Sequence, residues 1–284
     1  MPVAIVSDTC HYLPQEVVKA HDIREVSLYV HWPDQTIRES EIDDYDAFYE
    51  RLRTSADLPS TSQPSIGDFL AVYEPLLDAG QDIVSIHLAG GMSGTMRSAE
   101  QARDQLGHRA ERVRVIDSAT ACGGQGLVLL AAAAAAEAGG DLHAVGDRAE
   151  RARADLRMWF AIDTLEFLRR GGRIGGAQAW LGSTLKIKPI LTVESEITPI
   201  ERVRTSRRAF ERMVDLLRER AQDGADAWMV QHIQAPDQAE ELAARGREFF
   251  QTEPVCMSEI GPVIGAHVGP GLLGVGGIAG SFVH

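Results

Sequence analysis

The stretch IVSIHLAGGMSGTMRSA, residues 83–99, decides how the rest of the chain is read. Its first half is apolar and rich in β-branched residues, which predicts a buried strand. It empties through Gly90-Gly91 into Ser93-Gly94-Thr95 and continues as SAEQARDQL, a helix with Gly107 at its end. A strand that turns through glycines into a helix N-terminus presents unpaired backbone N–H groups and the positive end of a helix dipole. With the Ser93 and Thr95 hydroxyls beside them, such groups suit an anion. The same residues read equally well as an ordinary helix start in which Ser93 is the N-cap.

Working outward, the neighbouring segments repeat the strand-then-helix order. Residues 3–6 form a strand ending at Ser7-Asp8-Thr9, followed by a helix near 14–19. Ser7 and Asp8 either cap that helix or stand at the carboxyl end of a first parallel strand, where α/β sheets bind ligands. A second apolar segment covers 25–30, and residues 43–53 form an amphipathic helix. The run LPSTSQPS, 58–65, reads as a solvated loop, with Ser65 and Asp68 as a capping box for a helix over 66–77. Loops with clustered hydroxyls also carry ligand contacts. A strand at 112–116, a helix at 123–138 and another at 141–154 complete a β/α repeat, which predicts a parallel sheet with helices on both faces. The run LVLLAAAAAA, 127–136, is too short to span a bilayer and reads as a buried helix packed on a sheet.

After about residue 155 the texture changes. A strand at 158–162 leads to a short helix, TLEFLRRGGRI, closed by Gly171-Gly172. Residues 187–193 and 197–204 flank Glu194-Ser195-Glu196 as a hairpin. A charged helix at 205–222, a strand at 228–233, a helix at 236–249 and a strand at 255–260 follow. The end, 261–280, is glycine-rich with His267 inside it. Hairpin plus helices predicts a mixed sheet with helices on one face.

With 284 residues the chain has length for roughly two domains. Its net charge, 28 − 41 = −13, argues against a broad surface for nucleic acid. Three scattered cysteines, Cys10, Cys122 and Cys256, make neither a CxxC pair nor a disulfide framework, which points to a reducing cytoplasm. The start MPVAIVSD lacks the pattern of a signal peptide.

Several motifs fall away on context. Gly269-Pro-Gly271-Leu-Leu-Gly274 matches the dinucleotide fingerprint literally but leaves no room for the following helix, strand and acidic residue. Thr95 stands where a nucleophile elbow needs glycine, and there is no phosphate-loop signature. The nine histidines show no HxxxH or HxH spacing, so no metal is expected. His87, inside an apolar strand, reads as a hydrogen-bonded core residue. His267 suits either an anion contact or an interface. Arg169, Arg170 and Arg173 read as a solvated helix end. Lys186 and Lys188 share a strand face, as do Arg202 and Arg204, which Arg207-Arg208 extend into a cationic strip suited to an anionic partner.

Taken together, SDT near the start, PSTSQPS, GxSGTxxSA, IDS, TLExLxxGGRI, LKIKPIL, VRT and GPVIGAHxGPG resemble the DegV family, bacterial fatty-acid-binding proteins. Some members are the acyl-carrying subunit of fatty-acid kinase. The resemblance spans the chain in order. It implies an α/β fold of two domains: a parallel α/β/α sheet domain over 1–155 and a two-layer α/β domain with a mixed sheet over 156–284. A long-chain fatty acid such as palmitate, stearate or oleate would lie in a tunnel between them. By the same resemblance Thr61, Ser93, Arg173 and His267 contact the carboxylate, and Arg204, with Arg202 beside it, docks the kinase subunit. The protein itself would be a carrier without a catalytic residue, metal or other cofactor. It would touch the membrane transiently to extract the acid, then hold acid or acyl phosphate.

The chain departs from the family pattern in places. Ala89-Gly90-Gly91-Met92 stands where many members have Ser-Ser-Gly-Leu, and Met96-Arg97 replaces a common Tyr-Gln. Gly276-Gly277-Ile278 lacks a frequent aromatic. Two rival functions are weighed beside the carrier: a hydrolase or transferase with Ser93 as nucleophile and His267 as base, and a regulatory protein whose lipid is incidental.

Overall fold

The computed structural model describes residues 1–182 and 187–283; of the strand lysines, Lys186 lies outside them. In chain order the first strands are β1 (Val3–Asp8), β2 (Arg24–Val26), β3 (Tyr29–Trp32), β4 (Gln35–Arg38), β5 (Ser60–Ser62), β6 (Asp82–His87) and β7 (Val113–Asp117). Between and after them come helices α1 (Gln15–Ala20), α2 (Tyr45–Thr54), α3 (Ile66–Asp78), α4 (Thr95–Gln105), α5 (Cys122–Glu137) and α6 (Leu142–Asp155). The later elements are β8 (Arg157–Ala161), α7 (Glu166–Arg170), β9 (Lys188–Glu194), β10 (Glu196–Val203), α8 (Ser206–Gln222), β11 (Ala227–His232), α9 (Pro236–Phe250), β12 (Cys256–Glu259), α10 (Pro262–Val268) and β13 (Leu273–Ile278).

Three sheets result. The first is parallel, in the order β2-β1-β6-β7. The second is mixed, in the order β10-β9-β8-β13-β11-β12. The third is a small antiparallel sheet, β4-β3-β5, which the sequence reading lacks. Its β5 lies inside the run 58–65, whose composition predicts a solvated loop, although Ser65 and Asp68 do form the expected capping box for α3. Three polar residues carry no period-2 signal, and pairing Thr61 with Val30 is what makes them a strand.

Helix α5 holds the assembly together. Apart from Gln125, which donates to the Ser7 hydroxyl at 2.9 Å, it is apolar around its circumference and buried from Cys122 to Ala133, which a helix tolerates only when covered on every side. One side packs on β1 and β6, the other on β11 and β13. Helices α3 and α4 close the outer face of the parallel sheet through Phe69, Tyr73 and Ala99. Helices α8 and α9 close the outer face of the mixed sheet through Met213, Leu217 and Leu242. A continuous core runs between the two sheets.

Strand alternation decides what reaches that inner space. In β11, Trp228 and Val230 point to α8 and α9, while Met229 belongs to the inner core. In β13, Leu273 and Val275 point outward, and the alternate positions Gly274 and Gly276 leave the inner face bare. Among the described residues, no helix is long and apolar enough to cross a membrane.

Candidate functional site

The loop from β6 to α4 is held from below. Asp117, at the end of β7, accepts hydrogen bonds from Gly90 N–H at 3.2 Å and from Ala119 N–H at 2.7 Å. Gly91 sits so close to the β9–β10 turn that a Cβ there would lie 2.5 Å from the Ser195 carbonyl oxygen. Only glycine permits that approach. The loop thus spans from the parallel sheet to the mixed one, and it delivers Met92 and Ser93 to the space between.

Ser93 is not the N-cap of α4; that residue is Gly94. The Ser93 hydroxyl lies 2.8 Å from that of Thr95 and accepts a bond from the Thr95 N–H at 3.3 Å. It occupies the helix N-terminus, where an anion is favoured.

Opposite it stands α10, hidden in the sequence by its glycines. Glu39, a buried carboxyl that the sequence reading missed, accepts the Val263 N–H and the Tyr12 hydroxyl, each at 2.7 Å, and also bonds Thr9. Burial pushes its pKa up, against the pull of those donors. Tyr12 accepts the Ile264 N–H at 3.2 Å, and Tyr49 donates to the Ile260 carbonyl at 2.6 Å. So anchored, α10 presents His267 to β5, where the His267 Nε2 lies 2.7 Å from the Thr61 hydroxyl.

His267 is mostly buried, and its Nδ1 has no hydrogen-bond partner among the described residues. Burial, with a smaller contribution from the charge on Arg173, lowers its pKa to about 4. The ring is therefore neutral at pH 7. Arg173 itself is steadied by the Gly171 carbonyl at 2.7 Å and the Met92 carbonyl at 3.3 Å.

Thr61, Ser93, Arg173 and His267 line one cavity of about 40 Å³, together with Gln63. Ser62 adds one more hydroxyl, and the remaining walls, Leu28, Leu88, Leu168 and Ile264 among them, are apolar. Met92, Ile264 and Val268 also line a second cavity of about 30 Å³ over the inner face of the mixed sheet. Phe160, Met229, Ile197 and Leu272 are in its lining, and Gln231 is its one amide side chain. The Gln231 amide N–H groups face the carbonyls of His11 and Tyr12 and the Ser258 hydroxyl, while its oxygen accepts the Gly123 N–H at 2.5 Å. A polar end thus adjoins an apolar interior.

The other candidates fall elsewhere. His87 is fully buried, bonded to Ser85 at 2.7 Å and to Asp8 at 3.1 Å, as a core histidine should be. Asp8 also accepts the Leu88 and Cys10 N–H groups. Burial raises its pKa, but the His87 and backbone bonds outweigh that and leave it lowered. Arg202 and Arg204 are exposed, as are Arg207 and Arg208, and Arg202 covers the Trp180 ring at 5.3 Å. A nucleophilic serine needs a base within reach. The histidine weighed for that task bonds Thr61, and Ser93 pairs with Thr95. Among the described residues there is no group of three or more His, Cys, Asp or Glu arranged to hold a metal ion.

Comparison with known proteins gives consistent matches over the whole length. The family model described as "Uncharacterised protein, DegV family" matches residues 2–279. A DegV domain-containing protein of Streptomyces coelicolor is 39% identical over 276 residues, covering 96% of this chain and 97% of that one. Protein DegV of Bacillus subtilis is 37% identical over 284 residues, covering 97% and 98%. Among solved structures, a DegV family protein from Thermus thermophilus described by its fatty-acid binding superimposes with a TM-score of 0.88 at 34% identity, covering 98% of this chain and 100% of that one. Bacillus subtilis DegV, described as a fatty acid binding protein, gives 0.87 at 35% identity, covering 98% and 99%.

Proposed function

The chain belongs to the DegV family, and we propose that it binds a long-chain fatty acid between its parallel and mixed sheets and presents the carboxylate to a kinase partner. One observation carries the reading: the four polar residues Thr61, Ser93, Arg173 and His267 line a single cavity that shares a wall with an apolar one. A fatty acid has one charged end and a long hydrocarbon, so its chemistry matches that division. The fatty-acid binding of the Thermus thermophilus and Bacillus subtilis relatives supports the same ligand class.

A buried carboxylate is costly unless it is paired and hydrogen-bonded. Here the neutral His267 holds Thr61 through Nε2, which leaves the threonine O–H free to donate to a carboxylate oxygen. Ser93 and the N-terminus of α4 serve the other oxygen, and Arg173 supplies positive charge. In this reading the boundary between the two domains falls near residue 155, with the tunnel between 1–155 and 156–284. The protein performs no covalent step; it holds the acid, and afterwards the acyl phosphate, while the partner transfers phosphate. The exposed strip at Arg202 and Arg204 is the docking surface for that acidic or phosphate-carrying partner, and a transient membrane contact delivers the acid.

Mass spectrometry of an organic extract from the purified protein tests the ligand class, and the double variant Thr61→Ala with Ser93→Ala tests the site. We expect fatty acid in the extract and at least tenfold weaker binding in the variant, about 1.4 kcal/mol or more. Unchanged affinity in the double variant refutes the site assignment. Arg204→Ala leaves lipid binding intact and slows phosphorylation by the kinase; equal rates refute the docking role.

A further inference from the structure

The apolar cavity shares a second wall, with a groove on the surface. Met158 and Val193 line it from inside, and the same two residues line a surface groove of about 330 Å³ on the far side. The groove opens where β8 and β9 part. These strands pair at Phe160 with Leu191 and at Ala161 with Ile190. Toward Met158 the contact is the Thr192 hydroxyl donating to the Met158 carbonyl at 2.6 Å. Trp159, Leu156 and Ile200 give the groove an apolar floor, and Ile200 is 43% exposed. Around that floor the groove is also lined by Arg153, Arg157, Glu194, Ser118, Thr120 and Ser195.

The wall is movable on one side. Met158 is unbranched, with a thioether that adopts several rotamers at little cost. The Thr120 hydroxyl, 2.8 Å away, holds its sulfur, and the bare Cα of Gly124 makes room for it: a Cβ there would lie 2.7 Å from the same sulfur. On the other side Val193 is fixed in β9, which pairs with β10.

We propose that the fatty-acid path is open at both ends, with Met158 and Val193 as a rear gate and the groove over Trp159 and Ile200 as a site for the methyl end of very-long-chain acids. This rests on the fatty-acid reading above and adds to it a ligand class: acyl chains longer than the interior. Such a chain enters from the Thr61 and Ser93 end and displaces the Met158 thioether. Its last carbons then lie on the groove floor instead of being refused for lack of room.

Competition between palmitic and docosanoic acid, read by native mass spectrometry of the loaded protein, tests the proposal. Wild type is expected to hold docosanoic acid within roughly threefold of palmitic acid. Val193→Phe thickens the wall and should weaken docosanoic acid about tenfold more than it weakens palmitic acid. Ile200→Glu, at an exposed position that leaves folding intact, should also weaken docosanoic acid selectively. If wild type holds palmitic acid but excludes docosanoic acid, the rear gate is wrong and the fatty-acid reading stands. If Ile200→Glu leaves both acids unchanged, the groove is not the site. If wild type holds neither acid, both readings fall together.

Discussion

Two adjacent glycines, Gly171 and Gly172, should fail in opposite ways when each is changed to alanine. Gly171 has ordinary backbone angles, with φ −76°, so alanine strains nothing there. Its added Cβ would lie 2.2 Å from His267 Nδ1, where ordinary contact needs about 3.4 Å, so the ring must give way by 3.4 − 2.2 = 1.2 Å. It has nowhere simple to go. Nδ1 faces Gly171 while Nε2 is 2.7 Å from Thr61, so the ring rotates and gives up that bond. The threonine hydroxyl then loses its fixed orientation toward a carboxylate, and a hydrogen bond to a charged group contributes about 1.5–3 kcal/mol. We therefore expect Gly171→Ala to weaken fatty-acid binding by roughly tenfold or more, with a small change in melting temperature. Gly172 is the converse: φ is +69° and a Cβ would meet nothing within 4 Å. Gly172→Ala should cost about 1 kcal/mol of stability through backbone strain and leave affinity unchanged. Titration of a fluorescent fatty acid and a thermal melt on both variants separate the two effects. Gly171→Ala binding within twofold of wild type, while folded, would refute the claim that the His267–Thr61 pair orients the head group.

Three further outcomes are expected. Gly274 faces the apolar cavity with its nearest neighbours at 3.7–3.9 Å, so a valine fits the strand but fills the lumen with three carbons. Gly274→Val should keep or raise the melting temperature and weaken palmitate by up to about 2.4 kcal/mol, at ~0.8 kcal/mol per displaced carbon; an unchanged affinity would place the tail elsewhere. His267 has a folded pKa of about 4 against 6.5, so between these values the unfolded chain takes up a proton that the folded chain refuses. Stability is then full above pH 6.5 and falls as the pH drops toward 4, by about 3 kcal/mol from this residue; urea midpoints at pH 7 and pH 4.5 should differ less in His267→Gln. Glu39→Ala strands the Val263 N–H and the Tyr12 hydroxyl in the interior and should cost on the order of 3 kcal/mol, lowering the melting temperature and loosening α10, as its amide exchange would report.

The parts that could be read from sequence are those whose stability is local. Strands β1, β6 and β7 are apolar runs between turn signals, and α5 announces itself as a helix without a polar face. The parts that could not be read depend on distant neighbours. LGVGGI carries three glycines and becomes the middle strand of the mixed sheet only because β8 and β11 bond it from both sides. STS is a strand because β3 lies beside it. The glycines of 269–274 mimic a dinucleotide motif yet join a helix to a strand, the reverse of the order that motif requires. At the site, Ser93 and His267 drew notice through their glycine surroundings, and Thr61 and Arg173 through the family resemblance. Glu39 gives no sign in the sequence, and Asp117 shows only as part of the IDS motif, without its role under the Gly90 loop. A lone carboxyl in a polar stretch becomes a helix anchor only when folding brings α10 or the Gly90 loop to it.

The magnitudes also say which part of the ligand holds it. Burying ~15 methylenes at roughly 0.8 kcal/mol each yields about 12 kcal/mol before ordering costs, several times what the head-group contacts supply. Yet the two cavities measure about 40 and 30 Å³, against the ~300 Å³ or more of a typical ligand site. Entry of a chain must therefore push side chains aside, and the work of doing so is drawn from the same 12 kcal/mol. The residues that yield at least cost are the methionines, and Met92, Met158 and Met229 all line the apolar cavity. Met92 stands between the two cavities and Met158 between the apolar one and the rear groove. In the proposed reading, affinity follows from how far the methionines fold back, and orientation from Thr61 and its neighbours. Replacing Met92 with leucine keeps the volume and removes the flexibility, so it should slow fatty-acid uptake more than it weakens the final complex. Stopped-flow loading set beside equilibrium titration reads that difference, and equal changes in both would show that the methionine does not govern entry.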